Sequence, residues 1–157
     1  MNASIETARR PARRAGLLGL LLMAAGIAPA AAQNRLLSPE EAFQPAAEAV
    51  GPDRVRITWQ VAEGYYLFRD MLELKVVEPS GARVTARETP AGQSMYDRSS
   101  RKRRRIYRGE ARLTADLAGL DGADEVTVTV RYQGSADALD AGICLPVQNV
   151  ELDVALP

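Results

Sequence analysis

Apolar and polar residues alternate strictly along Val55-Arg56-Ile57-Thr58-Trp59-Gln60-Val61, placing Val55, Ile57, Trp59 and Val61 on one side of an extended chain. A period of two marks a half-buried β-strand. The same alternation returns through Ala111, Leu113, Ala115 and Leu117, through Val126, Val128, Val130 and Tyr132, and through Val150, Leu152, Val154 and Leu156. Tyr65 to Phe68 reads as a short aromatic strand, Met71 to Val77 as another with Leu72, Leu74 and Val76 on one face, and Arg83 to Arg87 as a weaker one. Ala62-Glu63-Gly64, Pro79-Ser80-Gly81 and the stretch from Gly119 to Asp124 are turns between them.

Helix signals are sparse. Ser38-Pro39-Glu40-Glu41 carries a capping serine, a proline at the first helical position and a glutamate three residues after the serine. Pro45 and Gly51-Pro52 hold that helix to a turn or two, enough to tuck Phe43 onto the core. Gln33 to Leu37 is expected to fray. Thr89 to Gly109, with Pro90, Gly92 and a run of basic residues, reads as a long exposed loop. Seven or eight short strands with regular turns and almost no helix predict an all-β antiparallel sandwich or barrel. A parallel α/β sheet is excluded, because no crossover helix is long enough.

Charge changes the picture at the N-terminus. Of 157 residues, 20 are basic and 20 acidic, and none is histidine. Residues 1–32 have the layout of a secretory signal peptide. Arg9, Arg10, Arg13 and Arg14 come first, then an apolar run from Ala15 to Ile27, then Ala30-Ala31-Ala32 at the expected cleavage point. That run is about 13 residues, short for a membrane span; an uncleaved anchor is the alternative. Arg9-Arg10 invites a twin-arginine reading, but Pro11-Ala12 stands where that signal has a hydrophobic pair. The remaining domain, residues 33–157, has 16 basic and 19 acidic residues, a net charge of −3. Its expected location is the periplasm, where disulfides persist.

Yet the chain has one cysteine, Cys144, and so no internal disulfide. The thiol is either exposed and reactive or a small buried hydrophobe between Ile143 and Leu145. Residues 98–108 hold seven basic side chains in eleven. Folded over Cys144, that run should lower the thiol pKa, whereas Asp137 and Asp140 should raise it. The run itself, including Arg101, Arg103, Arg104 and Arg105, is a solvated loop, a contact surface for an acidic protein, or a contact for anionic lipid headgroups. Nucleic acid is not an expected partner of an exported, net-negative domain. Tyr65, Tyr66 and Phe68 are core or site residues; because alternate residues of a strand face opposite ways, at least one of Tyr65 and Tyr66 should point outward or toward the cysteine loop. Without histidine or a spaced carboxylate cluster, no metal or other cofactor is expected.

Three segments resemble one family, the N-terminal periplasmic domain of the thiol-disulfide interchange protein DsbD. They are Trp59-Gln60 with Gly64-Tyr65-Tyr66-Leu67-Phe68-Arg69, then Ile106-Tyr107-Arg108, then Tyr132-Gln133-Gly134-Ser135-Ala136-Asp137-Ala138 followed by Gly142-Ile143-Cys144-Leu145-Pro146. The likeness covers roughly residues 35–156. It implies an immunoglobulin-like antiparallel β-sandwich. It also implies thiol-disulfide exchange by two cysteines on facing strands, shielded by aromatics of the glycine-tyrosine-tyrosine segment and by a cap loop beginning near an acidic residue. On that pattern Tyr65, Tyr66, Phe68, Asp97, Tyr132 and Asp137 are shielding or partner-binding candidates. The implied partners are thioredoxin-like periplasmic proteins and a membrane electron donor, with no stable membrane insertion of this domain.

The sequence departs from the pattern in three places. Ser135 stands for the first cysteine, Leu139-Asp140-Ala141 reads as an insertion, and Asp97-Arg98-Ser99-Ser100-Arg101-Lys102-Arg103-Arg104-Arg105 replaces the family's cap tip. A serine cannot resolve a mixed disulfide, so at most half of a reductase site remains, with Cys144 as the thiol. Two readings follow: a domain that engages redox partners through a mixed disulfide at Cys144, or a non-catalytic adaptor that binds an acidic partner through the arginine-rich loop. A covalent homodimer through Cys144 is a third use of one free thiol.

Overall fold

A computed structural model describes residues 35–137 and 142–157. The expected signal peptide and the insertion at Leu139-Asp140-Ala141 lie outside those residues. No helix among the described residues is long and apolar enough to cross a membrane.

The helix α1 is a single turn, Pro39–Ala42, closed by a full capping box between Ser38 and Glu41. The chain then enters β1 (Phe43–Gly51) and β2 (Arg54–Val61), which pair antiparallel. The sequence pattern missed β1. Its alanines and Pro45 carry little strand signal, but it is the edge strand of its sheet, where a proline without a ladder donor is tolerated. Next come β3 (Tyr65–Phe68), a 3-10 turn at Arg69–Met71, β4 (Glu73–Glu78) and β5 (Arg83–Glu88). The stretch expected to be a long exposed loop is instead a hairpin, β6 (Gln93–Asp97) and β7 (Lys102–Tyr107). The remaining strands are β8 (Glu110–Ala118), β9 (Glu125–Tyr132), β10 (Gly134–Ala136), β11 (Ile143–Cys144) and β12 (Gln148–Ala155).

The strands form three antiparallel sheets in the orders β1-β2-β8-β5, β12-β9-β4 and β11-β10-β3-β7-β6. The first two are the layers of a sandwich. Register follows alternation: Val55, Ile57 and Trp59 of β2 lie opposite Ala115, Leu113 and Ala111 of β8. All six are buried, and the large indole faces the smallest apolar side chain. Val126, Val128, Val130 and Tyr132 of β9 supply the buried face of the opposing layer. The Tyr132 ring packs edge-on against both Trp59 and Phe43. An indole or phenol ring buries 150–250 Å² of mostly apolar surface, on the order of 25 cal/mol for each Å², so these three rings anchor the core.

The third sheet caps one end of the sandwich. It begins where the sequence Tyr132-Gln133-Gly134 passes from β9 into β10. The Gln133 carbonyl accepts the Phe68 N–H at 3.0 Å, and the Gln133 amide donates to the Leu145 carbonyl at 3.1 Å. Gly134 is required by space: a Cβ there would overlap the Phe43 ring and the Tyr66 carbonyl oxygen. The two faces of this sheet differ. Tyr65, Leu67, Tyr107 and Ala136 look into the main core. Tyr66, Phe68 and Ile106 look the other way and form a second, smaller buried cluster with Met71 and Met95 packed on it.

Candidate functional site

Three strands of the cap sheet bring the site together. Ser135 in β10 lies opposite Tyr66 of β3 on one side and Cys144 of β11 on the other. In an antiparallel ladder, residues directly opposite share a face. Tyr66, Ser135 and Cys144 are therefore one row on the face turned away from the main core. The Ser135 hydroxyl sits 4.0 Å from the Cys144 sulfur. Ser135 is 1% exposed, while Cys144 is an exposed free thiol. The row lines an open cleft of about 310 Å³, whose opposite wall is built by Met95, Tyr96, Asp97, Arg98 and Ser99 of the β6–β7 hairpin.

The hairpin is pinned over this face by one arginine. The Arg104 guanidinium stacks 3.6 Å above the centre of the Phe68 ring. It also donates to Asp70 at 2.7 Å and lies 3.6 Å from the Asp97 carboxylate. Its side chain is only 19% exposed, so it is a structural contact rather than part of a solvated run. Arg101, Arg103 and Arg105 are exposed, and Arg101 holds a left-handed conformation (φ 55°) in the hairpin turn. Asp97 closes that turn by accepting the Ser99 N–H at 2.9 Å and the Ser100 hydroxyl at 2.7 Å. The hydrogen bond from Ser100 is the main reason its carboxyl titrates below the usual aspartate value, outweighing the opposing effect of burial. On the other side of the cleft Asp137 pairs with Arg108 at 2.7 Å, and the Arg108 guanidinium lies 5.0 Å from the Tyr66 ring centre.

The candidate residues thus separate into two groups. Tyr66, Asp97, Ser135, Asp137 and Cys144 meet at the cleft, and Phe68 lies beneath the hairpin that walls it. Tyr65, read as core or site, and Tyr132, one of the shielding or partner-binding candidates, are both core residues. The Tyr65 hydroxyl accepts the Leu37 N–H at 2.7 Å, tying down the chain start that was expected to fray. Burial, and secondarily the Glu40 charge, pushes the Tyr132 phenol up to about 12. Strand alternation explains the split between Tyr65 and Tyr66: adjacent residues of β3 take opposite faces, one toward the sandwich and one toward the thiol. The sequence pattern did not single out Met95, Tyr96, Arg98 or Ser99 as cleft residues. Alternation across β6 sends Met95 and Tyr96 to opposite faces, and Arg98 and Ser99 lie in the turn beyond that strand, so no periodic signal marked the four together.

A covalent bridge needs two sulfurs on facing strands with Cβ atoms about 3.5–4.5 Å apart. Ser135 and Cys144 are directly paired neighbours on facing strands, the arrangement in which two cysteines could bridge, but the atom 4.0 Å from the Cys144 sulfur is a hydroxyl oxygen. The family model for thiol:disulfide interchange protein DsbD, N-terminal, matches residues 33–156. The chain belongs to this family. Among similar proteins, the DsbD of Ralstonia nicotianae is 32% identical over 138 residues, covering 87% of this chain and 22% of that protein. A DsbD of Neisseria meningitidis serogroup A is 30% identical over 148 residues, covering 88% and 22%. The chain therefore spans about a fifth of the length of these relatives. Among solved structures, the N. meningitidis DsbD N-terminal domain in its reduced form superposes with a TM-score of 0.64 at 27% identity, covering 76% of this chain and 90% of that one. The complex between the DsbD N-terminal and PilB N-terminal domains of the same organism gives 0.61 at 29%, covering 76% and 88%. The fold of this DsbD N-terminal domain is accordingly the immunoglobulin-like sandwich that the motifs implied.

Proposed function

We propose that residues 33–157 are an exported, periplasmic thiol-disulfide interchange domain that carries out a single covalent step. The Cys144 thiolate attacks one sulfur of a partner's disulfide. A bond forms between that sulfur and Cys144, the partner's S–S bond breaks, and its electron pair leaves on the partner's other sulfur as a thiolate. Ser135 has no sulfur with which to displace the partner. The mixed disulfide therefore persists until the partner's own thiolate returns or a thiol of another protein attacks. The partners are thioredoxin-like periplasmic proteins, with a membrane electron donor upstream of them.

The observation that carries this reading is the exposure of Cys144 in a formed cleft, directly across the ladder from Ser135. A buried thiol would have favoured the adaptor. Membership in the DsbD N-terminal family, and a relative whose structure is solved in complex with the PilB N-terminal domain, support exchange as the chemistry. The test is the intact mass of the protein taken from exporting cells after rapid acid quench and alkylation, with and without reductant. A reductant-sensitive addition on Cys144 is expected, together with loss of residues 1–32. A thiol that alkylates only after unfolding would contradict the proposal, and a mass of two chains would assign the thiol to self-pairing instead.

A further inference from the structure

The charge on this domain is divided. Residues 98–108 hold seven basic and no acidic side chains, while the rest of 33–157 holds nine basic against 19 acidic. Arg104 and Arg108 are committed to Asp70, Asp97 and Asp137. Arg98, Arg101, Lys102, Arg103 and Arg105 form no ion pair among the described residues. Cross-strand pairing of Tyr96 with Arg103, and of Ser94 with Arg105, places these four on one hairpin face. All four are exposed, Tyr96 to 56%. The other face, with Met95, Arg104 and Ile106, is packed on the cap cluster. The basic surface also reaches the thiol, because Tyr96 and Arg98 line the same cleft as Cys144.

We propose that this hairpin is a docking surface for acidic protein partners, selecting those whose exchanging disulfide is bordered by aspartate and glutamate. The inference rests on the single-thiol reading above and names its partner class. Unneutralised guanidinium groups beside a reactive atom raise the encounter rate of an anionic partner by 10-fold to 1,000-fold, an effect that salt removes. An exposed tyrosine among arginines is the composition of a protein interface. An anionic membrane is the poorer match, because a lipid brings no sulfur to the thiol that this surface adjoins.

The test measures mixed-disulfide formation between the purified protein and three synthetic disulfide peptides. They are identical except that glutamate, glutamine or lysine flanks the bridge. The glutamate peptide is expected to react about ten-fold or more faster than the lysine peptide at low ionic strength, with the gap closing in high salt. With each rate taken relative to the glutamine peptide's, the triple variant Arg101→Glu, Arg103→Glu, Arg105→Glu should abolish or invert the order. The salt series on the unaltered protein needs no variant to fold. Equal rates for all three peptides at low salt would overturn the docking surface alone. No exchange with any of them would overturn the single-thiol reading and this inference together. Charge-independent rates alongside hairpin-dependent binding to vesicles of anionic lipid would assign the surface to a membrane and overturn the proposal.

Discussion

The sandwich and the cap bury their apolar residues by different means. Among the described residues, the main core is one cluster of 22 buried side chains, most of them from the sandwich strands, and strand alternation alone predicts most of them. In the cap, among the described residues, the second cluster has three buried side chains: Tyr66 and Phe68 of β3, and Ile106 of the covering hairpin itself, whose second strand reads Lys-Arg-Arg-Arg-Ile-Tyr. Each large apolar side chain contributes about 1.5–3 kcal/mol when fully buried, while ordering a hairpin costs about 1–2 kcal/mol per residue. So small a cluster leaves the hairpin dependent on the Arg104 contacts with Phe68, Asp70 and Asp97. The domain therefore combines a frame that stands on its own core with a wall over the thiol that a few side chains hold in place.

The largest expected effect separates the two directly. Trp59→Ala opens a cavity in the sandwich and should cost about 3–5 kcal/mol of global stability, read from the denaturant midpoint. Ile106→Ala should cost less globally and instead speed alkylation of Cys144. Equal global losses would mean that frame and cap unfold as one. Gly134→Ala strikes the junction, where the new methyl meets the Phe43 ring and the Tyr66 carbonyl. It should destabilise by about 1–3 kcal/mol and also disturb the Ser135–Cys144 register, visible as changed amide shifts in β10 and β11.

Arg104→Met keeps an apolar stem over Phe68 but removes the cation. The loss should be about 0.5–2 kcal/mol, smaller than either core change, with faster Cys144 alkylation as the clearer signal. An unchanged alkylation rate would show that other contacts hold the hairpin. The smallest effect concerns pH. The Asp97 carboxyl is depressed in the folded state, so its contribution is complete above the ordinary aspartate value of about 3.9 and disappears as pH falls through the lower folded value. The Ser99 amide, which donates to Asp97, should titrate with a midpoint below 3.9. A midpoint at or above that value would mean the turn does not hold the charge.

The sandwich was legible because alternation encodes it: β2, β8 and β9 read almost to the residue. β1 was not legible, because pairing with β2 makes that alanine-rich edge extended, not its own composition. The hairpin was hidden by its charges. Arg104 reads as a solvated cation, yet its stem and guanidinium cover Phe68, a role that residue type does not announce. At the site, the facing of Ser135 and Cys144 was expected from the family pattern, and their cross-strand pairing agrees with it. Tyr132 misled because it opens the cysteine motif while its side chain completes the sandwich.

The central claim is that one atom at residue 135 separates a domain that traps a partner from one that releases it. The most direct measurement compares the unaltered protein with Ser135→Cys after equilibration with excess glutathione disulfide, by intact mass. The unaltered protein should carry one glutathione on Cys144. Ser135→Cys should carry none, end two hydrogens lighter than its reduced form, and gain about 2–3 kcal/mol from the closed loop. An unaltered protein without the adduct, or a variant that keeps it equally, would contradict the account.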